Sequence, residues 1–154
     1  MRISNQRLQE IITFIRGLNF DKKYKNQFTT DKIKNLLYVH ESLTHSSAHS
    51  EVNYENLEFL GDAVLRLIAS DFIKNKYPYM QVGERSELRS HLVSDQWLEQ
   101  VGKRINIKSV MIIGQKALND KSAIATIQAE ATEALIGALY ESWREIRTSF
   151  ASCK

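Results

Sequence analysis

The chain has 154 residues, 43% of them hydrophobic, with 6 Gly and 1 Pro, and this size and composition suit one compact domain. Lys and Arg number 21 and Asp and Glu 18, so the net charge of +3 is too small to indicate a nucleic-acid partner by itself. The longest apolar run, residues 110–113, is too short for a membrane helix, so we expect no membrane partner. Cys153 is the single cysteine, which excludes an intramolecular disulfide and favours the cell interior.

Apolar residues recur at helical spacing from the start of the chain. Residues 5–18 follow the pattern of an amphipathic helix, and residues 21–25 then form a polar loop. A second helix follows Thr30 or Asp31, either of which can cap it. This helix is interrupted by residues 44–53, a stretch rich in Ser and His.

The remainder of the chain is also predicted to be helical. The expected segments are a third helix at about residues 53–77, helices at residues 83–93 and 95–105, a loop with two lysines at residues 114–121, and a long last helix at residues 124–146. Residues 110–113 are too short for a strand and have no pairing partner. The sequence therefore predicts an all-α fold in a single domain over residues 1–154, with its core at about residues 5–145.

An acidic stripe follows one side of the third helix. Glu58 and Asp62 fall within about 60° of Glu55 when each residue advances the helix by about 100°. The apolar side, expected to face the core, carries Leu57, Leu60, Val64, Leu67 and Ile68. Spacing alone also fits an ordinary solvated acidic face. Phe59, on the polar side beside Glu55, instead indicates an interface, because a large aromatic side chain there needs a partner to cover it.

A second pair of acids lies on the last helix. Glu130 and Glu133 share a face with small residues such as Gly137, which let another helix approach closely. If the two pairs of acids meet, like charges about 4 Å apart repel by about 4 kcal/mol at an effective dielectric near 20. Divalent cations relieve such repulsion, and all-carboxylate ligands favour magnesium, manganese or calcium over zinc. Magnesium can activate water for attack on a phosphodiester, so the pattern suits phosphoryl chemistry.

The run NYENLEFLGDAVL at residues 53–65 closely resembles the signature helix of the ribonuclease III family. The resemblance continues in further ordered blocks: LTHS at residues 43–46, ELRSHLV at residues 87–93, Gly114, and EATEALIGALY at residues 130–140. It covers about residues 5–145 and implies the helical endonuclease-domain fold of that family, assembled as a homodimer.

The resemblance also implies roles for single residues. The implied metal-binding and catalytic carboxylates are Glu58, Asp62, Glu130 and Glu133. Among these, substitution of Glu133 is expected to have the largest effect, and Glu55 would be an accessory acid that lines the cleft. Phe59 would insert as an aromatic knob into a socket on the partner subunit, and Gly61 would allow tight packing in the dimer interface.

The implied function is magnesium-dependent cleavage of double-stranded RNA, with Mn²⁺ able to replace Mg²⁺, in RNA processing such as that of ribosomal RNA. The products would carry 5′-phosphate and 3′-hydroxyl ends, and the compartment would be the cytoplasm or an organelle stroma or matrix. Two departures from the family pattern stand out: Glu130 replaces the usual Asp, and the loop after Gly114 reads Gln115, Lys116 and Ala117. The sequence ends at Lys154, so we expect no double-stranded RNA-binding domain.

Basic side chains must border a cleft that accepts duplex RNA, whose A-form helix is recognised mainly by its shape. The candidates for phosphate contacts are Arg85, Arg89, Lys116 and Lys121. For each of these, a solvated surface charge is an equally good interpretation. Arg89, within the ELRSHLV block, is the strongest candidate.

Two other functional classes remain open from the sequence. One is a non-catalytic dimeric RNA-binding or ribosome-associated relative of the same fold, and the other is a helical scaffold with surface acids. His45 and His49 have the spacing of zinc ligands but lack a third ligand, so they are interpreted as surface or capping residues. Neither a P-loop nor a GxGxxG motif occurs, so no nucleotide cofactor is expected.

Overall fold

The computed structural model of the protein describes residues 3–151, with the side chains of residues 3–144. Cys153, on which the expectation about disulfides depends, lies outside the described residues. The described helices are α1 (Asn5–Gly17), α2 (Lys22–Lys25), α3 (Ile33–Ser42), α4 (Glu55–Lys76), α5 (Val82–Leu92), α6 (Asp95–Arg104), α7 (Gln115–Leu118) and α8 (Lys121–Ala151), with short 3₁₀ helices at Ser46–Ala48 and Ile107–Val110. Within residues 3–151 there is no β-strand, only a parallel bridge between Thr44 and Ile112. The all-α prediction is confirmed.

Local capping explains where the main helices begin. The Ser4 hydroxyl accepts a hydrogen bond from the Arg7 N–H at 3.1 Å at the start of α1. The Ser94 hydroxyl accepts from the Trp97 N–H at 3.3 Å and starts α6, as the sequence predicts. The bounds of α4 and α5 also agree with the predicted helices to within one or two residues.

Two predicted loops contain short helices instead. Asp21 Oδ1 accepts a hydrogen bond from the Lys23 N–H at 2.8 Å, and this cap converts the expected polar loop into α2. The expected loop at residues 114–121 contains α7. The Asp120 carboxylate accepts from the Ser122 N–H at 2.9 Å, so α8 begins three residues earlier than predicted. Short capped turns of this kind leave too few residues for a periodic pattern.

The hydrophobic core is built around α8, against which α3, α4 and α6 pack. Small residues of α8, among them Ala131, Ala134 and Ala138, are fully buried and allow these helices to approach closely. Larger side chains from α1 and α3, such as Ile11 and Leu36, fill the remaining space. Among the residues that the structure describes, no helix combines the length and the apolar character needed to cross a membrane.

Helices α4 and α8 touch through their backbones. A Cβ atom added to Gly61 would lie 1.8 Å from the Glu133 carbonyl oxygen, and one added to Gly137 would lie 2.2 Å from the Leu57 carbonyl oxygen. No side chain fits at either position. Gly61 is therefore buried at a helix crossing within one chain, and its expected role in the dimer interface stays a prediction.

Helix α4 exposes apolar side chains that the helical pattern assigns to the core. Leu57 and Val64 are buried as expected, but Leu67 is 68% exposed and Ile68 is 56% exposed, so the expectation that both face the core is wrong. The physical reason is that α8 covers only part of the apolar side of α4. Leu67 and Ile68 instead border an open apolar groove of about 580 Å³ between α4 and α8, near Trp143.

Candidate active site

The crossing of α4 and α8 brings the two pairs of acids together. Gly61 touches the backbone of Glu133, so this glutamate lies beside the turn of α4 that carries Glu58 and Asp62. Burial, followed by the charges of Asp62 and Glu58, raises the pKa of Glu133 to about 7. Burial, followed by the charges of Glu130 and Glu55, also raises the pKa of Glu58. The acids predicted from two distant segments therefore share one electrostatic environment.

Two of the acids have partners of their own. Both carboxylate oxygens of Asp62 accept hydrogen bonds from Arg66 Nε, at 2.9 and 3.0 Å. Glu130 Oε2 accepts a hydrogen bond from the Tyr54 hydroxyl. Among the side chains that the structure describes, no three carboxylate, imidazole or thiol groups lie close enough to share one cation. Binding a common cation therefore requires some of these side chains to rotate, and the Asp62 side chain, 41% exposed, has the room to do so.

The donor set suits a divalent cation of the magnesium type. Oxygen ligands from carboxylates are those that Mg²⁺ and Mn²⁺ prefer. Burial is the largest cause of the raised pKa values of Glu58 and Glu133, and the charges of the neighbouring acids raise them further. The positive charge of Arg66 lowers the pKa of Glu133, but it is the smallest of the contributions to that pKa. A bound cation would offset the repulsion among these acids, and its ligands stay a prediction.

Three residues near the acids were not recognised from sequence. Tyr54 is 3% exposed and contacts Glu130, and burial raises its pKa above the ordinary value. His45 caps the 3₁₀ helix as expected. It also lies within the influence of the acids: burial lowers its pKa, and the charges of Glu130 and Glu55 oppose this lowering. Asp95, in the first turn of α6, contributes to the raised pKa values of Glu58 and Glu133. Asp95 directly follows the capping serine of α6, where an acidic residue is common, so the sequence does not mark it as part of a site.

Four of the remaining candidates are exposed on the surface. Glu55 is exposed, and its charge contributes to the raised pKa of Glu58, for which burial is the largest cause. Arg89 is exposed and donates a hydrogen bond to Ser70 Oγ at 3.1 Å. Lys116 and Lys121 are exposed on α7 and at the start of α8. Their roles as accessory acid and phosphate contacts stay predictions.

Arg85 has a local structural role. Its guanidinium donates hydrogen bonds to the Met80 carbonyl at 2.8 Å and to the Pro78 carbonyl at 2.7 Å. These contacts hold the turn between α4 and α5. The expected phosphate contact of Arg85 stays a prediction.

The raised pKa of Glu133 predicts how the stability of the metal-free protein depends on pH. A carboxyl with a pKa of about 7 in the folded chain, against an ordinary value of 4.5, holds its proton more tightly when folded. The stability that this raised pKa contributes is therefore fully present below pH 4.5, and it is lost as the pH rises through about 7. Glu133→Gln cannot ionise, so we expect its free energy of unfolding, relative to wild type, to increase between about pH 4 and pH 8.

This expectation is measured by urea unfolding with a chelator at a series of pH values. Burial, followed by the charge of Arg7, lowers the pKa of His40 to about 4, which gives the opposite pH dependence in wild type and variant alike. The difference between the two proteins therefore isolates Glu133. Glu51→Gln, in an exposed loop, is the control. Parallel stability profiles for wild type and Glu133→Gln would show that the pKa of Glu133 is not raised in the folded chain.

Solved structures of similar fold identify the class of domain. The chain matches the nuclease domain of ribonuclease III from Campylobacter jejuni with a TM-score of 0.67 and 26% identity, over 90% of this chain and 86% of the other. A second structure of the same nuclease domain matches with a TM-score of 0.65 and 25% identity, over 92% of this chain and 85% of the other. The all-helical chain therefore has the fold of a ribonuclease III nuclease domain.

Sequence comparisons agree with this class. The family model described as Ribonuclease-III-like matches residues 31–144. Ribonuclease 3 of Prochlorococcus marinus is 46% identical over 144 residues, which make up 94% of this chain and 58% of the relative. Ribonuclease 3 of Borreliella burgdorferi is 33% identical over 139 residues, 90% of this chain and 54% of the relative. The chain belongs to the ribonuclease-III-like family, and it spans about half the length of the curated relatives it matches.

Proposed function

We propose that the protein is a divalent-metal-dependent endoribonuclease that hydrolyses the phosphodiester bonds of double-stranded RNA during RNA processing. The observation that carries the proposal is the packing of Glu133 against the turn of α4 that holds Glu58 and Asp62. The relatives named ribonuclease 3 support the same class of activity. The products are expected to have 5′-phosphate and 3′-hydroxyl ends.

The proposed cation ligands are the four carboxylates of the crossing: Glu58, Asp62, Glu130 and Glu133. Bound Mg²⁺, or Mn²⁺ in its place, supplies a polarised water and neutralises charge on the phosphate. The chain itself contributes a half-buried position for Glu133, which strengthens its interaction with positive charge. Arg66 keeps Asp62 paired until that carboxylate turns toward the site.

Duplex RNA is proposed to contact exposed basic side chains through its phosphates. Arg89 on α5 and Lys116 on α7 are exposed and can reach phosphates without a base-specific contact. Lys121 extends this set at the start of α8. Affinity that depends on a few phosphate contacts should fall steeply as salt increases.

A cleavage assay tests this function. The full chain is incubated with a long RNA duplex, with and without Mg²⁺, beside single-stranded RNA and duplex DNA of the same sequence. We expect cutting of the RNA duplex only, and only with the metal. Retained duplex binding without any cleavage would instead favour the non-catalytic RNA-binding relative.

The exposed side of α4 supports a homodimer. Phe59 is 84% exposed, and the exposed residues Ala63 and Leu67 follow at intervals of four on the same side of the helix. An apolar stripe of this kind in water favours a partner that covers it. A solved relative, the Campylobacter jejuni nuclease domain, is described as having a region involved in dimer formation. We therefore place the dimer interface of this chain along the stripe formed by Phe59, Ala63 and Leu67.

Phe59→Ala is expected to weaken the dimer. An aromatic anchor at the centre of an interface contributes about 2 kcal/mol or more, so the dissociation constant should rise by about 30-fold. Sedimentation at a series of protein concentrations measures the change. The matched control is Phe72→Ala, because Phe72 is an exposed aromatic residue of the same helix on a different side. An unchanged dimer in the Phe59 variant would place the interface elsewhere.

A further inference from the structure

The buried hydroxyl of Tyr54 contacts the acids from the start of α4. Tyr54 is 3% exposed and donates a hydrogen bond to Glu130 Oε2, although 76 residues separate the two in sequence. The backbone of Tyr54 is held as well: its N–H donates to the Thr44 carbonyl at 2.9 Å, and its carbonyl accepts from the Glu58 N–H at 2.8 Å. A fixed donor therefore faces Glu130.

His45 supports the tyrosine ring from its side. The two ring centroids are 5.2 Å apart and the ring planes are inclined by 64°, an edge-on contact. His45 Nδ1 accepts a hydrogen bond from the Ser47 N–H at 3.1 Å, and Ser47 Oγ accepts one from the Gly114 N–H at 2.9 Å. These contacts connect the segment before α7 with Tyr54. The position of the ring is therefore set by packing on several sides and does not depend on Glu130 alone.

The hydrogen bond restricts a side chain that is otherwise adaptable. A glutamate has three side-chain torsions, and a carboxylate without a partner samples several rotamers. The Tyr54 hydroxyl engages Oε2 of Glu130 and leaves Oε1 for another partner. Protein groups that orient a metal-binding side chain in this way typically change metal affinity by about 10- to 100-fold when removed.

Resting on the metal-dependent function proposed above, we propose that Tyr54 is a positioning residue that fixes the orientation of the Glu130 carboxylate for the divalent cation. The tyrosine acts through Glu130 and does not itself touch the metal or the RNA. His45 acts one step further away, by holding the tyrosine ring.

The first test measures metal binding without RNA. Tyr54→Phe removes the hydroxyl and keeps the ring, and Mn²⁺ binding to the full chain is titrated by the electron paramagnetic resonance signal of the free ion. We expect the dissociation constant for Mn²⁺ to rise about tenfold. Tyr38→Phe, on α3, is the matched control and should bind Mn²⁺ like wild type. Circular dichroism establishes that each variant is folded.

A double-mutant cycle separates positioning from a general structural effect. Glu130→Asp is one methylene shorter and loses contact with the Tyr54 hydroxyl, so Tyr54→Phe should cause no further loss of Mn²⁺ affinity in that background. Glu130→Asp alone should already bind Mn²⁺ more weakly than wild type. With the RNA duplex, a higher Mg²⁺ concentration should restore the rate of Tyr54→Phe, because the defect lies in holding the metal.

The outcomes are distinguishable. Equal Mn²⁺ affinity of wild type and Tyr54→Phe, or equal losses from Tyr54→Phe in the wild-type and Glu130→Asp backgrounds, would overturn the positioning role and leave the proposed nuclease function intact. If Tyr54→Phe does not fold, Glu130→Asp carries the test, and wild-type affinity in that variant would overturn the inference. Failure of wild type itself to bind Mn²⁺ would overturn both the inference and the proposed function.

Discussion

Glu133→Gln is expected to abolish cleavage of duplex RNA while the protein remains folded and dimeric. The rate should fall by about 10³-fold or more, which corresponds to about 4 kcal/mol of lost transition-state stabilisation. The reason is geometric and electrostatic: Glu133 is half-buried at the helix crossing, beside the turn that carries Glu58 and Asp62, and an amide of the same size cannot neutralise a cation. Single-turnover cleavage at saturating Mg²⁺ measures the effect.

The same variant should not lose stability at neutral pH, because the amide removes a negative charge that burial, and secondly the neighbouring acids, disfavour. Loss of activity together with equal or greater stability distinguishes a catalytic role from a structural one. Glu141→Gln, farther along α8, is the control, and its cleavage rate should match that of wild type. A Glu133→Gln protein that cuts RNA at the wild-type rate would remove Glu133 from the proposed site.

Gly61→Ala is expected to be the most destabilising small substitution in α4. The added methyl group would lie 1.8 Å from the Glu133 carbonyl oxygen and 2.6 Å from the Glu133 carbonyl carbon, so the two helix backbones must move apart. Overpacking typically costs about 1–3 kcal/mol, and a clash between two backbones should reach at least the upper end of that range. For a domain of this size, about 3 kcal/mol lowers the melting temperature by roughly 6–12 °C.

Thermal unfolding of Gly61→Ala in excess chelator measures this loss. Gly83→Ala is the matched control, because a Cβ atom at Gly83 meets no neighbouring atom within 4 Å and alanine is the better helix former. The control should be as stable as wild type or slightly more stable. If Gly61→Ala unfolds at the wild-type temperature, the close crossing of α4 and α8 described here is wrong.

The helices and the acids could be predicted because both follow a regular period. Glu58 and Asp62 are one helical turn apart, as are Glu130 and Glu133, so helical spacing alone assigns each pair to one face. The exposure of Phe59 follows from the same geometry. The family motif then supplied what spacing could not, namely that the two pairs belong to one site.

The remaining features depend on which surfaces meet in three dimensions. A small residue such as Gly61 permits close approach, but the sequence does not say whether the neighbour is the same chain or a second copy. The helical pattern puts Leu67 on the apolar side of α4 and so predicts its burial. Leu67 is nevertheless exposed, because α8 covers only part of that side. The Tyr54–Glu130 contact joins residues 76 positions apart, and no local pattern reveals it.

On helix α8, two of the acids directly precede two of the core alanines in sequence. Ala131 and Ala134 are fully buried, while Glu130 and Glu133, one position before each of them, face the site. Turning the helix by a single residue, about 100°, would move charged groups into the interior and methyl groups into the cleft. Inserting or deleting one residue in the middle of α8 would therefore disrupt the interior and the chemistry together, so this segment can change by substitution far more readily than by a change in length.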